Sequence, residues 1–267
     1  MTAPPALIVL DQIGKTYDGA PVLTGASLSI DRGQFVALVG GSGAGKTTLL
    51  KTINALIVPT TGRVLIDGQD VAEQPGPALR RRVGYVFQEV GLFPHMTVAQ
   101  NIGITPSLLD WPADRIAARV ATLLDLVALP REVAPRLPAE LSGGQRQRVG
   151  VARALAAEPS ILLMDEPFGA LDPVTRVALA QDVRRLHDAL NLTTVMVTHD
   201  VGEALLTADR IVVMAAGPQG GEIVADATPT ALLAGAHADS RVTALIDAPR
   251  RQAEKLANLA QKGGARG

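Results

Sequence analysis

Hydrophobic and polar positions follow three rhythms along the chain. In the first third, short apolar runs at Leu7–Leu10, Leu28–Ile30, Phe35–Val39 and Val64–Ile66 predict strands. The dipeptides Asp18-Gly19, Arg32-Gly33 and Asp67-Gly68 punctuate them as turns. Phe35–Val39 runs into a glycine-rich loop and then a helix-like segment, Lys46–Leu56. The middle third is helical. Thr97-Val-Ala-Gln100 has the pattern of a capping box, and so does Ser142 with Gln145. Between them Ile116, Val120, Leu123, Leu124 and Val127 recur at helical spacing until Pro130. The last third alternates. Ile161–Met164 and Thr194–Thr198 are apolar runs of the kind buried on both faces of a parallel sheet. Asp172-Pro173 and Asp200-Val-Gly-Glu203 open helices after them. Ile211–Met214 and Glu222–Val224 predict further strands. Beyond about residue 236 the pattern weakens, and Lys262–Gly267 reads as a frayed end.

Composition narrows the picture. A chain of 267 residues with 47% hydrophobic content can bury the core of one large domain. Its 25 Lys and Arg balance 26 Asp and Glu, so a net basic face for nucleic acid is not expected. The run Arg80-Arg81-Arg82 reads as a solvated face. With Cys 0 there is no thiolate metal site, disulfide or cysteine nucleophile, and the expected compartment is cytoplasmic. Mean hydropathy is high at +0.23. No run approaches the roughly 18 apolar residues of a membrane span. Aromatics are scarce, with Trp 1, Tyr 2 and Phe 4.

Chemistry concentrates at three places. Gly40, Gly41, Ser42, Gly43, Ala44, Gly45, Lys46 and Thr47, with Thr48 following, spell G-x-x-x-x-G-K-[ST] between a strand and a helix. Such a loop wraps phosphates with backbone N–H groups at a helix N-terminus. Lys46 is expected to reach the β- and γ-phosphates and Thr47 to place a hydroxyl on Mg²⁺. Asp165 and Glu166 end the run Ile161–Met164, where a nucleotide-hydrolysing site needs an acid for the metal and a base for water. Leu141, Ser142, Gly143, Gly144 and Gln145 place two glycines and a serine at a helix start, a second anion site with free N–H groups.

Together with that last pentapeptide, these motifs resemble the ATPase subunits of ABC transporters over about residues 6–235. The resemblance implies a P-loop core with a mixed, largely parallel sheet, an N-terminal antiparallel β subdomain and an inserted helical subdomain at about 89–158. It implies ATP and Mg²⁺ as ligands. It also implies a head-to-tail pair of copies, each ATP lying between Lys46 of one and the signature residues of the other. By the same resemblance Tyr17 stacks on adenine, Gln88 is the glutamine that touches metal and water, Asp172 belongs to the loop that crosses to the other copy, and His199 contacts the γ-phosphate. Tyr85, Phe87, Leu92, Phe93 and Pro94 offer an apolar surface for an integral-membrane permease.

The segment Gly84–Ile102, together with Thr52–Gly62, Leu108–Trp111 and Asp165–Arg176, resembles the glycine betaine/carnitine/choline importers more narrowly. That implies a quaternary ammonium osmoprotectant as cargo and a periplasmic or lipid-anchored solute-binding protein. The subunit would sit on the cytoplasmic face of the bacterial inner membrane. The pair of CBS domains found in many such subunits is not expected in residues 236–267. The alternatives are an ATPase for another small-molecule importer, or a soluble ABC protein without a transport role. A P-loop kinase or GTPase is disfavoured by the signature pentapeptide.

Overall fold

A computed structural model describes residues 6–235 and 239–247. A ten-stranded mixed sheet organises the chain. Its strands are β1 (Ile8–Tyr17), β2 (Ala20–Ile30), β3 (Phe35–Gly40), β4 (Thr61–Ile66), β5 (Gln69–Asp70), β6 (Val83–Val86), β7 (Ile161–Asp165), β8 (Thr193–Thr198), β9 (Arg210–Gly217) and β10 (Gly220–Ala227). The spatial order is β5-β4-β1-β2-β10-β9-β3-β8-β7-β6. The five strands from β9 to β6 run parallel. β1, β2, β4 and β5 pair antiparallel.

The parallel half is apolar on both faces, and its side chains sort by period two. Phe35, Ala37 and Val39 of β3 join one buried cluster, and Val36 and Leu38 join the other. Leu162 and Met164 of β7 go with the first, Ile161 and Leu163 with the second. The second cluster is closed by Leu49, Leu50 and Ile53 of helix α1 (Lys46–Ile53) and by the inner faces of β1, β2 and β4. The first is closed by the helices of the other side. They include α3 (Val98–Leu108), α4 (Ala113–Leu126), α5 (Gly143–Leu155) and α6 (Pro173–Leu190). Helix α2 (Gly76–Arg82) precedes β6, and α7 (Val201–Thr207) and α8 (Pro229–Leu233) follow β8 and β10. Of the stretch after 236, residues 240–247 are helical and bury Val242 and Ile246 in the first cluster. Lys262–Gly267 lies outside the described residues.

Several elements differ from the pattern-based expectation. β1 runs on from Leu10 to Tyr17 through register shifts at Leu10/Ile13 and Ile13/Lys15, and these bulges break the alternation that marks a strand. α1 stops at Ile53, three residues early, because Ala55 takes the left-handed conformation at φ 53°. β6 is only four residues long and includes Gly84, so no apolar run announces it.

Three loops leave the parallel strands on the same side: β3 to α1, β7 to α6 and β8 to α7. Ligands of open α/β sheets lie outside such strand ends. No described helix is long and apolar enough to cross a membrane.

Candidate functional site

The loop after β3 needs glycine for steric reasons. At Gly40, φ is +153°, and a Cβ there would lie 2.0 Å from the Met214 carbonyl oxygen on β9. The β9 backbone cannot yield without disturbing the sheet. Gly40→Ala is therefore expected to cost about 3 kcal/mol, lowering the melting temperature by about 6–12 °C. Thermal unfolding checks this, and an unchanged midpoint would contradict it.

Gly45, at φ +80°, is the N-cap of α1 and provides no side-chain acceptor. The first N–H groups of the helix thus stay free and face an anion site with the positive end of the helix dipole. Lys46 is buried, and its Nζ donates to the carbonyls of Gly40 at 2.8 Å and Gly41 at 2.9 Å. Burial pushes its pKa below the ordinary lysine value, against the pull of Glu166 and Asp165. An incoming phosphate would supply the counter-charge that this ammonium lacks.

β7 delivers the acids. Asp165 is buried, and its Oδ1 accepts the Thr47 hydroxyl at 2.7 Å. Its Oδ2 accepts the Tyr85 hydroxyl at 3.2 Å and lies 3.7 Å from Lys51 Nζ. Burial and the neighbouring Asp165 carboxylate push the Tyr85 phenol far up, so it stays protonated and donates. Glu166 follows with a left-handed backbone, φ 45°. That conformation costs a residue with a side chain about 1–2 kcal/mol, and a hydrogen bond from its N–H to the Val197 carbonyl at 2.9 Å holds it. Its Oε2 lies 3.3 Å from His199 Nδ1 and accepts from Gln88 Nε2 at 3.4 Å. Val22, Ser42 to Thr48, Glu166 and His199 line one cleft of about 390 Å³. A larger cavity of about 640 Å³ lies between α3 and α4, but its walls are almost wholly apolar.

His199 projects from the end of β8 and is exposed. The residues beside it are braced. The Thr198 hydroxyl donates to Glu203 Oε2 at 2.5 Å and accepts from the Asp200 N–H at 3.0 Å. Asp200 in turn caps α7. Burial holds Glu203 above the usual carboxylate range. Arg176 Nη2 donates to the Leu171 carbonyl at 3.0 Å, while its guanidinium lies 3.6 Å from both Asp200 and Glu203. The turn holding Asp172 and the turn holding His199 thus share one arginine.

Other sequence-selected residues lie apart from this cleft. Ser142 caps α5, its Oγ accepting the Gln145 N–H at 3.2 Å while Gln145 Oε1 accepts the Ser142 N–H at 2.9 Å. Leu141 is buried, and Ser142 and Gly143 are exposed. A Cβ at Gly144 would meet Thr175 of α6 at 2.9 Å. None of Leu141 to Gln145 lines the phosphate cleft. Asp172 is exposed and caps α6 through the N–H groups of Val174 and Thr175; the Thr175 side chain first, and then these N–H groups, hold its carboxyl below the usual range. Tyr17 is 43% exposed, with Lys15 Nζ 4.8 Å from its ring centre, and it too stands outside the cleft wall.

Of the apolar surface around Gln88, Phe87 and Phe93 are 45% and 41% exposed. Leu92 is instead half-buried against the core, and Tyr85 turns its hydroxyl to Asp165. Phe168, beside the acids in sequence, is fully buried in the core. Phe87, Phe93, Tyr85, Leu56 and Leu108 line a groove of about 620 Å³, with Arg80, Arg81 and Arg153 at its margin. The sequence pattern does not single out Asn101. It is wholly buried in α3, where its side chain accepts the Phe93 N–H at 2.8 Å and donates to the carbonyls of Phe93, Met96 and Thr97. Its signal is a polar residue on the apolar stripe between Val98 and Ile102.

The fold and the cleft together define a P-loop nucleotide-binding domain. The family profile described as "ABC transporter" matches residues 23–169. The chain belongs to that family. It is 50% identical over 228 residues to the glycine betaine/carnitine/choline transport ATP-binding protein OpuCA of Bacillus subtilis, covering 85% of this chain and 59% of that one. It is 49% identical over 210 residues to the sulfate/thiosulfate import ATP-binding protein CysA of Thermosynechococcus vestitus, covering 79% of this chain and 62% of that one. The chain thus spans about three fifths of the length of these relatives. Among solved structures, the ATP-binding cassette MJ0796, a dimer bound to ADP and Pi after hydrolysis, superposes with a TM-score of 0.73 at 32% identity, covering 83% of this chain and 98% of that one.

Proposed function

We propose that this chain hydrolyses ATP as the nucleotide-binding subunit of an ABC importer for a quaternary ammonium osmoprotectant, on the cytoplasmic face of the inner membrane. The observation that carries the hydrolytic reading is the convergence of Lys46, Thr47, Glu166 and His199 on one cleft, with Asp165 joined to it through the Thr47 hydroxyl. The free N–H groups of α1 and Lys46 bind the phosphates. Tyr17 stacks on adenine.

Mg²⁺ suits the donors present. Thr47 and Asp165 offer hard oxygens 2.7 Å apart, Gln88 lies beside Glu166, and no cluster of three metal-ligating side chains exists among the described residues. That is the sparse set expected where substrate phosphates and waters complete the shell. When bound, Mg²⁺ neutralises charge on the β- and γ-phosphate oxygens. Glu166 takes the proton of a water whose oxygen attacks the γ-phosphorus, and the bond to the bridging oxygen breaks to leave ADP. His199 holds the γ-phosphate from the other side of Glu166.

The separation of Leu141–Gln145 from this cleft supports a site completed in trans. Ser142, Gly143 and Gly144 of a second copy close over the phosphates, and Asp172 lies at the crossing. Ser142→Arg is expected to leave ATP binding by each monomer intact and to reduce turnover by about 100-fold or more, since it places bulk and a second cation at a tightly packed interface. Steady-state hydrolysis beside calorimetric ATP binding tests this. Wild-type turnover in that variant would remove the composite site.

The permease is assigned to the groove around Phe87 and Phe93, whose exposed rings suit the centre of a protein interface. The cargo assignment is supported by the likeness to OpuCA, and a periplasmic or lipid-anchored binding protein would deliver the solute. The likeness to CysA, over a shorter match, favours a second reading, an importer of another small solute. Uptake of labelled glycine betaine and of labelled sulfate by cells with and without the gene decides between them. Loss of betaine uptake alone is expected; loss of sulfate uptake alone would overturn the cargo.

A further inference from the structure

Tyr85 occupies a junction. On β6 its Cα stands opposite Leu163 of β7, two residues before Asp165. Its hydroxyl donates to Asp165 Oδ2, while Oδ1 takes the Thr47 hydroxyl. The two carboxylate oxygens therefore have different partners, one toward the phosphate loop and one toward β6. The terminal torsion of an aspartate is soft, so holding one oxygen sets the direction of the other. Without the phenol, the neighbour of Oδ2 would be Lys51 at 3.7 Å, a half-exposed side chain beyond hydrogen-bond reach. At its other side the Tyr85 ring packs on Phe87, with centroids 4.6 Å apart and planes tilted by 52°. Both rings line the groove beside α2 and α3.

We propose that Tyr85 is a positioning residue for the metal site: its hydroxyl orients the Asp165 carboxylate, and its ring, packed on Phe87, ties that carboxylate to the groove. The inference rests on the reading of Asp165 as the metal-binding acid. Hydrogen bonds behind a metal ligand fix its orientation, and their loss typically weakens metal binding by about 10–100-fold. The geometry also gives the groove a short physical route to the site. An occupant that displaces the Phe87 ring disturbs Tyr85, and through its hydroxyl Asp165, without any change in the phosphate loop.

The test uses the full chain with saturating ADP and Mn²⁺ as a paramagnetic probe. Bound Mn²⁺ is read by electron paramagnetic resonance, and ADP affinity without metal by calorimetry. Tyr85→Phe keeps the ring and loses the hydroxyl. It is expected to bind metal-free ADP as the wild type does, and Mn²⁺ about 10–100-fold more weakly. Phe87→Leu keeps the hydroxyl and loses the ring contact, and a smaller loss of about two- to fivefold is expected from the aromatic pair energy. Matching metal-free ADP affinity shows that each variant is folded. Mn²⁺ affinity of Tyr85→Phe within twofold of wild type would overturn the positioning role. A weakened Tyr85→Phe beside a wild-type Phe87→Leu would overturn the link to the groove. If wild type itself held no Mn²⁺ with ADP, the assignment of Asp165 would fall instead.

Discussion

Lys46→Ala is expected to weaken ATP binding by about 30–150-fold while leaving the fold intact. The free side chain is buried against two carbonyls, with a pKa pushed down by burial. It has no anionic partner in direct contact. A triphosphate supplies one in a site where water is scarce. Charge-assisted hydrogen bonds of this kind are worth about 2–3 kcal/mol, which is the stated factor at 1.4 kcal/mol per tenfold. The fold should tolerate the change because no element depends on the ammonium; it bonds only to its own loop. Calorimetry with ATP, beside thermal unfolding, reads both quantities. Unchanged affinity would remove Lys46 from the phosphate site.

Glu166→Gln should separate binding from chemistry. The amide preserves volume and leaves the backbone in its left-handed turn, held by Val197. What disappears is the ability to accept a proton from water. General-base contributions of about 10²–10⁴-fold in rate are typical, so turnover should fall by that factor at unchanged ATP affinity. The prediction is specific to position 166. Glu203, five residues past the end of β8, is buried beneath Thr198 and ion-paired toward Arg176; it braces the His199 turn and does not line the cleft.

What the sequence makes legible here follows from chemistry that is local. The phosphate loop can be read because strand, glycines, lysine and helix are contiguous, and the free N-terminus of α1 follows from Gly45 at its cap. The buried strands β3, β7 and β8 are legible because every residue in them except the terminal Asp165 is apolar or small enough to lie in a two-faced core. The caps at Thr97, Ser142, Asp172 and Asp200 are local too, each set by one side chain and the next turn.

The rest depends on partners far apart in the chain. β6 is held by pairing to β7, across more than seventy residues, rather than by any pattern of its own. The aromatic run around Gln88 reads as one apolar surface, yet its two packed rings differ: the Tyr85 hydroxyl reaches Asp165, while Phe87, just past the end of β6, is exposed. Composition alone groups these rings; the pairing of β6 with β7, which brings the Tyr85 hydroxyl within reach of Asp165, separates their duties. The Arg176 bridge between two turns is likewise invisible until α6 and α7 pack together.

The most direct test of the composite site is the mass of Glu166→Gln in solution, measured by sedimentation with and without Mg-ATP. With hydrolysis blocked, ATP should hold two copies together through Lys46 of one and Ser142 of the other. The chain is expected to be a monomer without nucleotide, a dimer with Mg-ATP, and not a dimer when Ser142→Arg is added. A Glu166→Gln chain that binds ATP and yet stays monomeric at every concentration would contradict it.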